Sequence, residues 1–287
     1  MIIDRQKALN AFNAYVINYD VNDEKIKLKI EHTYRVCVLC ERIAKESGFD
    51  EDEIEIAWLT GLLHDVGRFE QLRRYGTFID AQSIDHAEFG ADILFKEGKI
   101  RDYVDDASED LLLERTVRCH SAYKVPDSYS RREKKFADLL RDADKIDILK
   151  VNIIVPLEEI YNVTTSELKN CRVSDEVMQA FNEEHAVLRS LKKNPVDNVV
   201  GHISLVYELV YPVSYMIVYE QGFLNKLMDF ESELPETNRQ FEQIRAKMSA
   251  YIKAHSAEEV NYAYSKIRKH RNNRKQKRLW GAADTEN

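Results

Sequence analysis

The sequence predicts an all-α protein. Apolar residues recur at three- and four-residue spacing along nearly the whole chain. Only nine glycines and five prolines interrupt 287 residues. No linker, repeat or low-complexity run divides them, which argues for one continuous helical body over 1–255, followed by a basic terminal helix and tail over 256–287. A composition of 44% hydrophobic and 32% charged residues suits a globular fold in water.

Taken in order, the periodicity predicts helices near 4–19, 24–47, 51–65, 83–97, 108–123, 131–149, 174–191, 197–211, 213–230, 237–254 and 256–275. In the second, Ile26, Ile30, Thr33, Cys37, Cys40 and Ala44 trace one stripe. Cys37-x-x-Cys40 therefore reads as core, because no second cysteine pair completes a zinc site and no βαβ context marks a redox motif. The third is "GLLHDVGRF" at its end, with Ile54, Trp58 and Leu62 at helical spacing and Gly67 as the stop signal. "EQLRRYGTFIDAQSID", residues 70–85, is too polar for a core and reads as a loop. Ser108 and Ser174 offer caps, and "PETN" after Leu234 an acidic first turn. "VNIIV" at 151–155 and residues 160–174 are the strand-like pieces, read as one short hairpin. Tyr207, Tyr211, Tyr215 and Tyr219, at i+4 spacing, read as helix packing, and the terminal "GAADTEN" as a disordered end.

The formal charge of −8 is unevenly spread: residues 266–287 hold eight basic and two acidic side chains, leaving −14 on the rest. An acidic body repels polyanions, so nucleic acid is not the expected partner. The basic tail reads as a solvated helix end, with an anionic surface or a second copy of the chain as lesser alternatives. Asp4 and Arg5 stand where a signal peptide needs an apolar core. "LVYELVYPVSYMIVY" carries Glu208 and Pro212 and is too short to span a bilayer. A cytoplasmic protein without a membrane segment is expected.

Five helices place polar side chains on apolar faces. His32 continues into Val36, Leu39 and Ile43; His64 and Asp65 end the third helix; His86 shares a face with Gly90 and Ile93, the glycine permitting close helix approach. His120 follows Leu113 and Val117, and Asp144 follows Phe136 and Leu140. A lone histidine there is usually a hydrogen-bonded core residue, and Arg141 or Lys145 could neutralise Asp144. Those readings must hold at all six positions together. Four imidazoles and two carboxylates match the ligand preferences of Zn, Fe or Mn. Neighbouring helix positions point about 100° apart, so His64 and Asp65 are not expected to share one partner.

In their order, His32, His64-Asp65, His86, His120 and Asp144 resemble the H…HD…H…H…D subset of the HD superfamily of metal-dependent phosphohydrolases, over roughly residues 24–150. The resemblance implies an HD-type helical bundle with two divalent metals: Fe, Mn or Zn, with Mg admitted. His32, His64, Asp65 and Asp144 would hold one, and His86 and His120 the other, with Asp65 bridging. Arg68 stands where several relatives have a lysine and suits a phosphate grip. Gln71, Arg73, Arg74, Lys124 and Lys145 are secondary candidates for contact with substrate. The sequence departs from the cyclic-dinucleotide branch, lacking "GYP" after His120, and from the alarmone branch, having Val66-Gly67 where acids follow the HD pair. The implied reaction is cleavage of a small phosphoester, a nucleotide being the leading case, by a metal-generated hydroxide, with Asp65 and Arg68 as the catalytic pair. An inositol-oxygenase-like di-iron enzyme and a non-catalytic nucleotide sensor are the alternatives.

Overall fold

The long helix over Arg131–Ile154 is the one that most other elements pack against. The structure is a computed structural model that describes residues 1–256, and every regular element among them is helical. The basic helix and tail expected beyond residue 256 lie outside the described residues. α1 (Arg5–Val16) starts on Asp4, whose side chain accepts from Lys7 N, and α2 (Glu24–Glu46) on Asp23, which accepts from Lys25 N. α3 (Glu51–Leu63) opens with a capping box between Asp50 and Glu53. There follow α4 (Val66–Tyr75), α5 (His86–Ala91) running into a π turn over Asp92–Lys96, α6 (Ile100–Tyr103), α7 (Asp110–Cys119) and α8 (Arg131–Ile154). α3 packs along α2, and α8 lies against both. Val36, Ile43, Leu59, Leu62, Phe136 and Leu140 of these helices are wholly buried, as are Leu113 and Val117 of α7, which packs on α3 and α8. Full burial of such side chains contributes about 1.5–3 kcal/mol each, which fixes the helices that hold the polar cluster.

The remaining helices are α9 (Leu157–Tyr161), α10 (Thr165–Lys169), α11 (Asp175–Asn182), α12 (Val196–Ser204), α13 (Pro212–Gln221), α14 (Phe223–Met228) and α15 (235–256); α9, α12, α13 and α14 pack on α8, and α11 on α12. Asp142 of α8 anchors them. Its buried carboxylate accepts from Val210 N (3.1 Å), Tyr211 N (2.8 Å) and Ser214 Oγ (2.8 Å), and so caps the start of α13.

Several expectations change. There is no hairpin among the described residues, because α8 continues through "VNII" to Ile154. β-branched residues cost a helix only a few tenths of a kcal/mol each, and no partner strand competes for them. Pro156 then ends the helix by forcing Val155 into an extended conformation (φ −111°, ψ 135°). The loop expected over 70–85 is helical to Tyr75, where Gly76 at φ 67° stops α4. Gly67 does not end the third helix. It lies inside α4, against α5, where a β-carbon would meet His86 O at 2.3 Å and Gly90 N at 2.6 Å. Gly67 and Gly90 together permit the close approach of the two helices.

Cys37 and Cys40 are buried free thiols, and burial pushes both up beyond the ordinary range. Tyr207, Tyr215 and Tyr211 pack inward while Tyr219 is exposed, and Gly222 splits the helix expected over 213–230. No helix among the described residues is long and apolar enough to cross a membrane.

Candidate metal centre

Helix ends and helix faces deliver six ligand-type side chains to one place. His32 comes from the inner face of α2, His86 from the first turn of α5, and Asp144 from the middle of α8. His64 and His120 stand where α3 and α7 end. Asp65 lies between α3 and α4 with φ −104° and ψ 14°. That break overturns the expectation drawn from continuous helix geometry. It swings the Asp65 carboxylate back beside the preceding ring, so His64 Nε2 and Asp65 Oδ2 are 3.5 Å apart.

The two carboxylate oxygens of Asp65 face different partners. Oδ2 lies 3.5 Å from His32 Nε2 and 3.5 Å from His64 Nε2. Oδ1 lies 3.6 Å from His86 Nε2 and 3.7 Å from His120 Nε2. Asp144 Oδ1 joins the first group, 3.1 Å from His32 Nε2 and 3.9 Å from His64 Nε2. All four histidines and Asp65 are at most 4% exposed.

Each ring is oriented through its other nitrogen. His64 Nδ1 donates to Gly61 O (2.7 Å) and His120 Nδ1 to Val117 O (2.7 Å). His32 Nδ1 meets Asp147 Oδ2 at 2.7 Å, and His86 Nδ1 meets Asp80 Oδ2 at 2.8 Å. These acceptors assign the proton to Nδ1 and leave a lone pair on Nε2 of each neutral ring. The lone pairs then face one another, His64 against His32 at 3.2 Å and His86 against His120 at 3.0 Å. Facing lone pairs repel unless a cation lies between them. The donor set, imidazole with carboxylate and carboxylate-backed imidazole, therefore fits divalent metals. His32, His64, Asp65 and Asp144 would hold one, and His86, His120 and Asp65 another.

The local charges on Asp65, His64 and His86 agree with that use. Burial would raise the Asp65 carboxyl, yet Lys29 and His64 hold it well below the usual range. Burial draws His64 down to about 4, and burial with the Arg68 charge does the same to His86, so both rings stay neutral donors. His32 goes the other way: burial and Lys29 oppose its charge, but Asp144 and Asp147 outweigh them.

The remaining candidates separate. Arg68 sits beside the centre with Nε 3.7 Å from Asp65 Oδ1, and its Nη1 donates to Asp80 (2.9 Å), Gln71 (2.9 Å) and Phe78 O (2.6 Å). Gln71 is fully buried and spends its amide on Asp80, Ser83 and Ile84 O; it braces this loop and does not face the cavity. Arg73 and Arg74 leave the site because α4 is a helix. They turn to the face that holds Glu70 and pair with it, and Arg73 lines a separate groove beside α1. Lys124 is exposed, paired with Asp127 at 3.1 Å, and outside the cavity. Lys145 does line the cavity, donating to Glu208 O at 3.1 Å. Arg141 bonds backbone carbonyls of Cys119, Ala122 and Tyr123, so Asp144 is met by His32 instead.

Lys29 (2.7 Å from Asp65 Oδ2), Arg35, Asp80 and Asp147 were not singled out from sequence. Lys29 and Asp147 sit three residues from His32 and Asp144 on the same helix faces, which is the signal that finds them. Asp80 lies in the polar segment after α4 and carries no periodic signal.

Residues 30–149 match the family model of the HD domain. No curated protein and no solved structure matched the chain.

Proposed function

The chain carries an HD domain, and from that premise we propose a metal-dependent phosphohydrolase acting on a small phosphoester, with a nucleotide as the leading case. One observation carries the reading: a single buried carboxylate, Asp65, turns one oxygen to each of two histidine pairs. That geometry suits a bridge between two cations. When bound, divalent ions supply Lewis acidity, lowering the pKa of water to give a nucleophile and offsetting charge on a phosphoryl group. Lys29 and Arg68 flank the bridge. Asp80, Gln71 and Phe78 O fix one end of the Arg68 guanidinium, leaving its buried Nε without a hydrogen-bond partner among the described residues. An arginine held in this way presents a charged edge for phosphoryl oxygens with little reorganisation.

The test is metal analysis of protein purified without oxygen, then anaerobic assay against a panel of phosphoesters. About two transition metals per chain and oxygen-independent release of phosphate or a nucleoside support the reading. Stoichiometry fixed near one after reconstitution would sink the bridge. Oxygen-dependent turnover of an unphosphorylated polyol would replace the hydrolase with a di-iron oxygenase.

A further inference from the structure

The cavity above the six side chains, about 510 Å³, has a lining of two origins. Lys29, Asp65, Arg68, His86, His120 and Asp144 come from the HD domain or the turn before it. Arg189, Lys192, Gly201 and His202 come from the segment around α12, beyond the matched region. His202 stacks on Tyr161 and binds its hydroxyl at 2.9 Å, and that hydroxyl also donates to Asn152 of α8, which holds α12 against α8 and α9 at this wall.

The acids of the cavity are already engaged. Asp65 meets Lys29, Asp80 meets Arg68 and His86, Asp144 meets His32, Asp85 caps α5, and Glu208 accepts from Ala186 N. Three cations are not balanced in this way. Lys145 bonds only the Glu208 carbonyl, and neither Arg189 nor Lys192 makes a side-chain hydrogen bond or ion pair among the described residues. Asp197, whose charge Lys192 feels, is occupied by Ser174, Lys193 and Asn194. Lys192 reaches the cavity across α12 through the notch at Gly201, where a β-carbon would sit 2.4 Å from its Nζ. Burial, then repulsion from Arg189, draws Lys192 down to about 8. Cations gathered without an anion are relieved when one arrives.

We propose that Lys145, Arg189 and Lys192 form a second anion subsite, so that the substrate is a phosphoester whose organic part carries a further phosphate or carboxylate. This deepens the phosphohydrolase reading and rests on it. A cavity of this volume is in the range that encloses a small molecule. A plain monophosphate would leave the wall unmatched.

Calorimetry on the metal-loaded full chain tests it with uncleavable probes: propylphosphonate, 3-phosphonopropionate, and alkane-α,ω-bisphosphonates with three to six carbons. At least one doubly anionic probe should bind about 10-fold or more tighter than propylphosphonate. The Arg189→Gln/Lys192→Gln variant should lose that margin and keep its propylphosphonate affinity, and Lys192→Met serves if the double variant misfolds. Preference for 3-phosphonopropionate assigns a carboxylate, and preference for a bisphosphonate a phosphate. Equal binding of singly and doubly anionic probes, or a margin these variants leave intact, overturns the subsite while the hydrolase reading stands. Failure of every probe to bind the metal-loaded protein overturns both.

Discussion

Asp65 is the residue on which the centre turns, because its two oxygens face different histidine pairs. Asp65→Ala should empty both metal positions, whereas His120→Ala should loosen chiefly the one shared with His86. Metal content after dialysis measures this, and equal loss in both variants contradicts the division. Asp147 holds His32 from behind at 2.7 Å and is itself gripped by Arg35 at 2.7 Å and 2.9 Å. Asp147→Asn should weaken the first metal by about 10–100-fold, the usual effect of losing a carboxylate behind a ligating histidine. Competition with a chromogenic chelator reads it, and an unchanged affinity would mean the carboxylate only packs. Arg68 has two duties, because it also fixes Asp80, the acceptor behind His86. Arg68→Ala should lower turnover by about 10²-fold, comparable to losing one charge-stabilising donor, and lysine should restore part of it. A concurrent loosening of the His86–His120 metal is expected from the freed Asp80.

The helices set these distances by how closely they pack. α4 and α5 touch through Gly67 and Gly90, and no other residue at 67 leaves the His86 carbonyl its space. Gly67→Ala should push α5 outward, with an overpacking cost of about 1–3 kcal/mol. Metal should be lost first from the pair that includes His86, since α5 carries it. Retention of both metals with unchanged melting would show that the contact can relax. The loop-like look of residues 70–85 misled for a related reason. Arg68, Glu70, Gln71, Arg73 and Arg74 are polar, but on a helix they divide between two faces. One braces the cavity through Gln71 and Asp80, and the other forms the Glu70 ion pairs.

In the whole molecule, the helices after α8 do two things: they shield the core and supply the Arg189–His202 wall of the cavity. Asp142 ties them down with three donors from the start of α13. Asp142→Ala leaves those donors buried and unmet, at a cost of roughly 3 kcal/mol. For a chain this long the melting temperature should fall by about 6–12 °C. Calorimetry would detect it, and a drop below 2 °C would show that water reaches the amides.

The sequence by itself determined the helical class, the buried cysteines and the six side chains gathered at the centre. Each of those follows from local periodicity: a polar residue on an apolar stripe is visible wherever a helix is. Pro156 ends α8 at Ile154, a stop that the β-branched run "VNII" hid by pointing to a strand. Only the tertiary structure decided which oxygen of Asp65 meets which histidine, because that depends on the break between α3 and α4 and on two glycines from separate helices. It alone decided that Gln71 braces, that Arg73 and Lys124 lie away from the cavity, and that Asp80 belongs to the site. Periodicity reports which face of a helix is buried, but the partner across that face is a long-range contact that no local pattern encodes.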